Sequence, residues 1–332
     1  MHTLKRSQIG VEVQNAAIEK IKNDISLNVV NSYLQALFAE EQVKIAEAQV
    51  KISENQVNRI KELVAEGVLP KGDLLSIQST FANDNQSLII AENSLNMAAL
   101  RLAQLLQLPE SFIEIEDIDI DGVKKDILQT QSSAVYKRAV ETFPEIKLAE
   151  LNIKSAEESI KIAQGNYYPS LSLGYGLNTA YQHLMGTPDF ISFSDQLNNT
   201  LGHSIFLSLN VPIFNRYQFK TNEGKALLNH KRVQYNLETE KLRLKETVQI
   251  AYTDAIASSK AYDAAIQSLE SQKMAFAYAN ERYSEGVINS FDFNQAKNLL
   301  LIAESQLINA KYDFVFKLKV LEFYFGGSLR IE

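Results

Sequence analysis

The chain makes the same turn twice. Glu66-Gly67-Val68-Leu69-Pro70-Lys71-Gly72-Asp73 is answered 219 residues later by Glu285-Gly286-Val287-Ile288-Asn289-Ser290-Phe291-Asp292. Each copy separates two long stretches of helical periodicity. A glycine directly after a helix adopts a left-handed conformation and closes the last turn. The aspartate that follows is expected to cap the next helix by accepting from its first free N–H groups. Gln295, three residues past Asp292, extends that expectation to a capping box, whereas Asp73 has only Ser76 in that place. Two helical hairpins with short exposed tips are the predicted product.

The same offset holds well beyond the turn. Val29 matches Val248, Tyr33 matches Tyr252, Ala36 matches Ala255, Ala46 matches Ala265 and Glu62 matches Glu281. Past the tip, Leu88-Ile89 matches Leu307-Ile308, Ala91 matches Ala310 and Leu102 matches Leu321. One ungapped offset sustained over roughly 75 residues identifies an internal duplication.

The flanking helices carry a seven-residue repeat. In the first copy Val29, Ala36, Val43, Val50, Val57 and Val64 form one seam, and Ser32, Ala39, Ala46, Ser53 and Ile60 the other. In the second copy the seams are Val248, Ala255, Tyr262, Leu269, Phe276, Tyr283 and Ala251, Ser258, Ala265, Gln272, Ala279. A period of seven produces a left-handed coiled coil, and small seam residues let helices approach closely. Residues 1–66 contain no proline and one interior glycine, Gly10, so a helix of roughly 100 Å at ~1.5 Å per residue is expected. The return helix is expected to run from about Asp73 to Leu108, where Pro109 stops it. Only 13 glycines and 6 prolines in 332 residues fit a mainly helical fold.

Between the two hairpins the periodicity changes. Residues 109–133 read as a short mixed segment, with Phe112-Ile113-Glu114-Ile115-Glu116 as a brief strand. Asp117, Asp119, Asp121 and Gly122 are spaced like the opening of a calcium loop, but the twelfth position is Leu128, so a solvated acidic loop is the reading. A helix follows over 133–164, broken at Phe143-Pro144-Glu145. Apolar residues then occupy alternate positions: Tyr167, Leu171, Leu173, Tyr175, Leu177, and later Ile205, Leu207, Leu209, Val211, Ile213. Small polar residues lie between them. Period two predicts two strands, joined by a loop at 180–203.

A lone two-stranded hairpin is barely stable in water, so these strands need partners that the chain does not supply. One apolar face and one small polar face match a membrane β-barrel, with lipid outside and an aqueous lumen inside. Tyr167, Tyr168, Tyr181, Phe190, Phe193, Phe206, Phe214 and Tyr217 are expected to form an aromatic girdle at the strand ends. No run of about 18 apolar residues offers a transmembrane helix.

Several functions are disfavoured. A net charge of −7 argues against nucleic acid, which requires a basic face. The absence of cysteine removes disulfides and thiolate metal sites. The histidines are His2, His183, His203 and His230; His183 and His203 flank the long loop without a carboxylate motif and read as solvated. No catalytic, cofactor or metal site is expected.

The order of elements and the motifs Phe143-Pro144-Glu145-Ile146, Tyr168-Pro169-Ser170-Leu171, Val211-Pro212-Ile213-Phe214 and the doubled Glu-Gly-Val tips resemble the TolC-like outer-membrane efflux family. The resemblance covers essentially the whole chain. It implies a homotrimer in the outer membrane that extends into the periplasm. Each protomer would contribute strands to a shared barrel and helices to a tunnel. It also implies an adaptor protein and an inner-membrane pump as partners, within a tripartite efflux or type I secretion system. On that reading 1–108 is the first periplasmic hairpin (tip 66–73), 109–133 an equatorial segment and 134–166 a helix leading to the barrel. Residues 167–214 are the outer-membrane hairpin, 215–326 the second periplasmic hairpin (tip 285–292) and 327–332 a tail. Glu66, Gly67, Val68, Leu69, Asp73, Glu285, Gly286, Val287, Ile288 and Asp292 become adaptor-docking tips, and the alternating strand residues become lipid-facing. By the duplication Met1 corresponds to Lys220, so a first strand pair would lie upstream. Three protomers with two strands each give fewer than the eight of the smallest bacterial barrels, and an N-terminally truncated piece is expected. The competing reading is a periplasmic coiled-coil adaptor or scaffold.

Overall fold

The computed structural model describes residues 1–109, 125–182 and 191–326. In chain order these form α1 (His2–Ala65), α2 (Lys71–Leu106), a 3₁₀ turn (Lys125–Gln129), α3 (Ser132–Thr142), α4 (Pro144–Gly165), β1 (Ser170–Asn178), α5 (Phe193–Asn199), β2 (Gly202–Asn210), α6 (Gln218–Ser284) and α7 (Ser290–Tyr324). The duplication survives in three dimensions. The ends of α1 and α6 lie 219 positions apart, and so do the starts of α2 and α7. The expected acidic loop, the brief strand near Phe112, and His183 and Phe190 lie outside the described residues.

The chain divides into two units. One comprises residues 15–147 and 239–332 and holds both tips. Within it α7 is the shared element. Its buried residues include Phe293, Lys297, Leu300, Phe314, Val315, Leu318 and Leu321. Tyr312 and Val315 pack on Val30, Leu34 and Leu37 of α1. Phe314 stacks on Tyr262 of α6 at 6.0 Å, and Phe293 on Tyr283 at 4.7 Å. Phe143, at the α3–α4 junction, contacts Phe323 at 5.2 Å and Tyr324 at 5.0 Å. That junction follows from Pro144. Its fixed φ suits the first position of a helix, and it forces Phe143 into the extended region at φ −76, ψ 131. The Tyr252 hydroxyl donates to the Leu128 carbonyl at 3.3 Å and ties the 3₁₀ turn to α6.

The seam of α1 differs from the sequence expectation. Ala39, Ala46, Ser53 and Ile60 are buried, as expected, but Val43, Val50, Val57 and Val64 are only half-buried. Gln49 and Gln56 are buried in their stead, with Gln42 half-buried one heptad earlier. Both sets stand three and four residues from the alanine seam, so spacing cannot choose between them. Tertiary packing decides; on the glutamine side the Ser305 hydroxyl donates to Gln42 Oε1 at 3.2 Å. A second correction concerns α2. It ends at Leu106 because Gln107 turns left-handed (φ 55) and Leu108 N donates back to Ala103 O, two residues before Pro109 is reached.

The other unit comprises residues 1–14 and 148–238. Its helical part is held by charge as much as by apolar contact. Glu158 is buried, accepting from Lys161 at 2.8 Å and facing His2 Nδ1 at 2.6 Å. The Lys161 bond first, then His2, lowers its carboxyl from about 4.5 to about 2. Glu223 of α6 accepts from Gln164 at 3.0 Å and from the Tyr167 hydroxyl at 3.1 Å.

Two outcomes are expected. Leu318→Ala empties a site that is 0% exposed and should cost about 2–5 kcal/mol of unfolding free energy, measured by urea denaturation. Glu158 has a depressed folded pKa, so its contribution is complete above about 4.5 and disappears as pH falls toward about 2. The thermal midpoint of the parent should therefore drop further across that window than that of Glu158→Gln. Equal drops would remove Glu158 from the account.

Candidate functional site: the paired tips and the strand hairpin

Both tips close by the same hydrogen-bond pattern. After α1, Gly67 sits at φ +76; its N–H donates to Val64 O at 3.1 Å and that of Val68 to Leu63 O at 2.9 Å. After α6, Gly286 sits at φ +71, with Gly286 N–H to Tyr283 O at 3.1 Å and Val287 N–H to Arg282 O at 2.8 Å. These are two Schellman motifs, which satisfy the last free carbonyls of each helix. No atom lies within 4 Å of a Cβ built on either glycine, so backbone conformation alone requires them.

The aspartates do not cap. The residue before α7 is Asn289, whose side chain accepts from Asp292 N–H at 2.9 Å. The residue before α2 is Pro70, which has no side-chain acceptor, and Asp73 N–H turns back to Pro70 O at 3.1 Å. Asp73 and Asp292 lie one turn inside their helices, where a negative charge still favours the N-terminal dipole. Gln295 therefore takes no part in a capping box. The signal for Asn289 was present in the sequence, since an asparagine three residues before an acidic first-turn residue is a common helix start.

The two tips share one cleft of about 470 Å³. Ile60, Leu63, Leu69 and Ile288 line its apolar part, and Arg59, Asp73 and Tyr283 its polar part. Arg59 Nη2 donates to Ser284 O at 2.8 Å and so bridges the ends of α1 and α6. Burial and then the Asp73 charge raise the Tyr283 hydroxyl above its usual pKa, with Arg59 opposing. Val68 and Glu285 stand at the margin of the cleft, and Val287 lies outside its lining; Val68 and Val287 are 64% and 63% exposed, and Glu66 and Glu285 are exposed as well. Leu69 and Ile288 are half-buried. The heptad pattern put Tyr283 on a seam but gave no sign of Arg59, and the two come together only when the two hairpins pack.

The hairpin forms a separate surface. β1 and β2 are antiparallel, pairing Leu171 with Leu209, Leu173 with Leu207 and Tyr175 with Ile205. These six side chains and Leu177 share one exposed face. Each strand has nine residues, about the length a tilted strand needs to cross a bilayer. Among the described residues neither outer edge is paired. Tyr167, Val211 and Ile213 fall outside the strands. Tyr167 lies in the turn after α4, with its ring against Phe219 at 5.8 Å, and Val211-Pro212 breaks the ladder because proline has no N–H. Phe206 is not at a strand end either. It pairs with Gly174 in mid-hairpin, and a Cβ on Gly174 would come within 2.2 Å of its ring. Beyond the strands, Thr200 and Thr179 bond at 2.9 Å, and Tyr181 meets Phe193 edge-on at 5.0 Å.

Among the described residues no group of three or more His, Cys, Asp or Glu is placed to hold a metal. No described helix is long and apolar enough to cross a membrane. His203 instead shares a 2.7 Å hydrogen bond with the Tyr175 hydroxyl.

The left-handed glycines make a graded expectation. Gly67→Asn should cost less than Gly67→Ala, and Ala, at about 1–2 kcal/mol, less than Val. The same order should hold at Gly286. Thermal denaturation of the series measures it.

Comparison with known proteins agrees with these features. The chain is 22% identical over 285 residues to the pyoverdine export outer membrane protein OpmQ of Pseudomonas aeruginosa, covering 84% of this chain and 54% of that protein. It is 21% identical over 315 residues to the outer membrane protein TolC of Escherichia coli, covering 94% and 63%. The chain thus spans less than two thirds of the length of either relative. The open-state MtrE outer membrane channel of Neisseria gonorrhoeae has the same fold, with a TM-score of 0.72 at 20% identity over 100% of this chain and 72% of that one. Residues 135–327, more than half of the sequence, match the outer membrane efflux protein family. With its doubled hairpin, matched tips and strand pair, the chain belongs to that family.

Proposed function

We propose that this chain forms the body of an outer-membrane channel subunit. The channel passes substrates outward from the periplasm, or from an inner-membrane pump, in a tripartite efflux or type I secretion system. The observation that carries the reading is the strand hairpin. Its apolar face is exposed, its other face is small and polar apart from Phe206 over Gly174, and its outer edges are unpaired among the described residues. Closure of such hairpins from several copies, together with further strands, into a barrel of at least about eight strands satisfies every edge and turns the apolar face to lipid. Leu171, Leu173, Tyr175, Leu177, Ile205, Leu207 and Leu209 are the lipid-facing set on this proposal.

The assembly is a homotrimer, and the tips are where a periplasmic adaptor docks. Exposed Val68 and Val287 beside a cleft with an apolar lining suit a helical partner whose side chains enter the cleft. Arg59 and Asp73 at the polar part of the cleft would orient that partner. The adaptor in turn links the channel to an inner-membrane pump.

Two experiments test this. Native complete protein extracted in detergent should appear in negative-stain electron microscopy as elongated particles with threefold symmetry. A detergent-independent soluble monomer would overturn the channel reading in favour of an adaptor or scaffold. Replacing Gly67 and Gly286 together with bulky residues in the complete protein should abolish cross-linking to the adaptor and lower efflux at least roughly tenfold. Unchanged cross-linking would refute the docking role alone.

A further inference from the structure

Lys297 is the most deeply buried charge among the described residues of the unit that holds both tips. It is 4% exposed, on the α7 seam between buried Phe293 and Leu300. Its ammonium donates to Asp84 Oδ2 of α2 at 2.5 Å and to the Gln49 carbonyl of α1 at 3.4 Å. The Ser53 hydroxyl also reaches that carbonyl, at 3.1 Å. One side chain of the second hairpin therefore holds both helices of the first. Polar groups continue along the seam. Gln49 Oε1, Gln56 Oε1, Gln42 Nε2 and Asn294 Oδ1 are buried without a protein partner among the described residues.

This arrangement is not repeated by the duplication. The counterpart of Lys297 is Gln78, which is exposed, and that of Asp84 is Ala303, which is buried. Gln42, Gln49 and Gln56 correspond to Ala261, Ser268 and Ala275, all exposed. The two hairpins descend from one pattern, and their apolar and small seam residues do not by themselves say which helix lies against which, or in what register. A buried ammonium whose one carboxylate partner, half-buried Asp84, sits on another helix has that power. Any other pairing, or a slip of one turn, leaves a charge buried without its partner, and breaking a buried pair is far more costly than never having one.

We propose that Lys297, Asp84 and the Gln49 carbonyl form a latch that sets the register of α7 on the first hairpin and makes α2 and α7 open together rather than singly. The latch rests on helix packing and not on the channel reading. Its test therefore uses no transport measurement.

Amide hydrogen exchange on the complete protein in detergent reads it. Asp84→Asn keeps the side chain's shape and removes its charge. Lys297→Met keeps the stem and removes the ammonium. Each single change should accelerate exchange at least roughly tenfold in both α2 and α7 around the latch, although each alters only one helix. The double change Lys297→Met with Asp84→Leu should recover much of the protection, because an apolar pair leaves no stranded charge. Acceleration confined to the mutated helix, no acceleration at all, or a double variant with losses that simply add would each overturn the latch. Should Lys297→Met fail to fold, Asp84→Asn alone still decides between coupled and local opening.

Discussion

Helices of 64 and 67 residues cannot be covered by one compact core, and this constraint governs the structure. A globular helix averages about 11–12 residues. One several times longer must bury a narrow stripe along its length against other long helices, and every residue off that stripe faces solvent or another copy. The stripe here is built from alanine, serine and glutamine more than from leucine. The unit's larger apolar side chains concentrate on α7, which α1, α2, α3 and α6 all contact. Stability in this unit therefore depends on one helix having four neighbours.

The tips follow from the same constraint. A long helix that must return alongside its neighbour needs a sharp reversal that leaves no carbonyl unsatisfied. The Schellman closure at Gly67 and Gly286 supplies it identically in both copies. The copies diverge immediately afterwards, with proline before α2 and a true asparagine cap before α7. The shared cleft arises because two equivalent reversals end at the same level and Arg59 of the first reaches the backbone of the second.

The strand pair follows a different logic. Its apolar face is exposed among the described residues, and its register is held by backbone pairing and by the Phe206 ring over Gly174. Such a hairpin is stable only where other strands and an apolar medium complete it. Beyond the strands, hydrogen bonds from Thr179 to Leu197 O and to the Thr200 hydroxyl, and from Ala180 N–H to Thr200, hold the hairpin's far end together.

Much of this was legible in the sequence. The duplication, the left-handed glycines, the Pro144 break and the alternation of Leu171, Leu173, Tyr175 and Ile205, Leu207, Leu209 are local or periodic properties. Backbone sterics and a fixed repeat suffice to read them. The tertiary structure alone decided the rest. Spacing permitted either the valines or the glutamines to face inward on α1, and only the tertiary packing buried Gln49 and Gln56. The strands stop short of Tyr167, Val211 and Ile213 because pairing, not alternation, defines a ladder. Lys297 and Asp84 lie 213 residues apart and look like ordinary surface charges in sequence. Only the packing of the two hairpins buries one beside the other, because a charge pair depends on distance in space and no period in the chain encodes it.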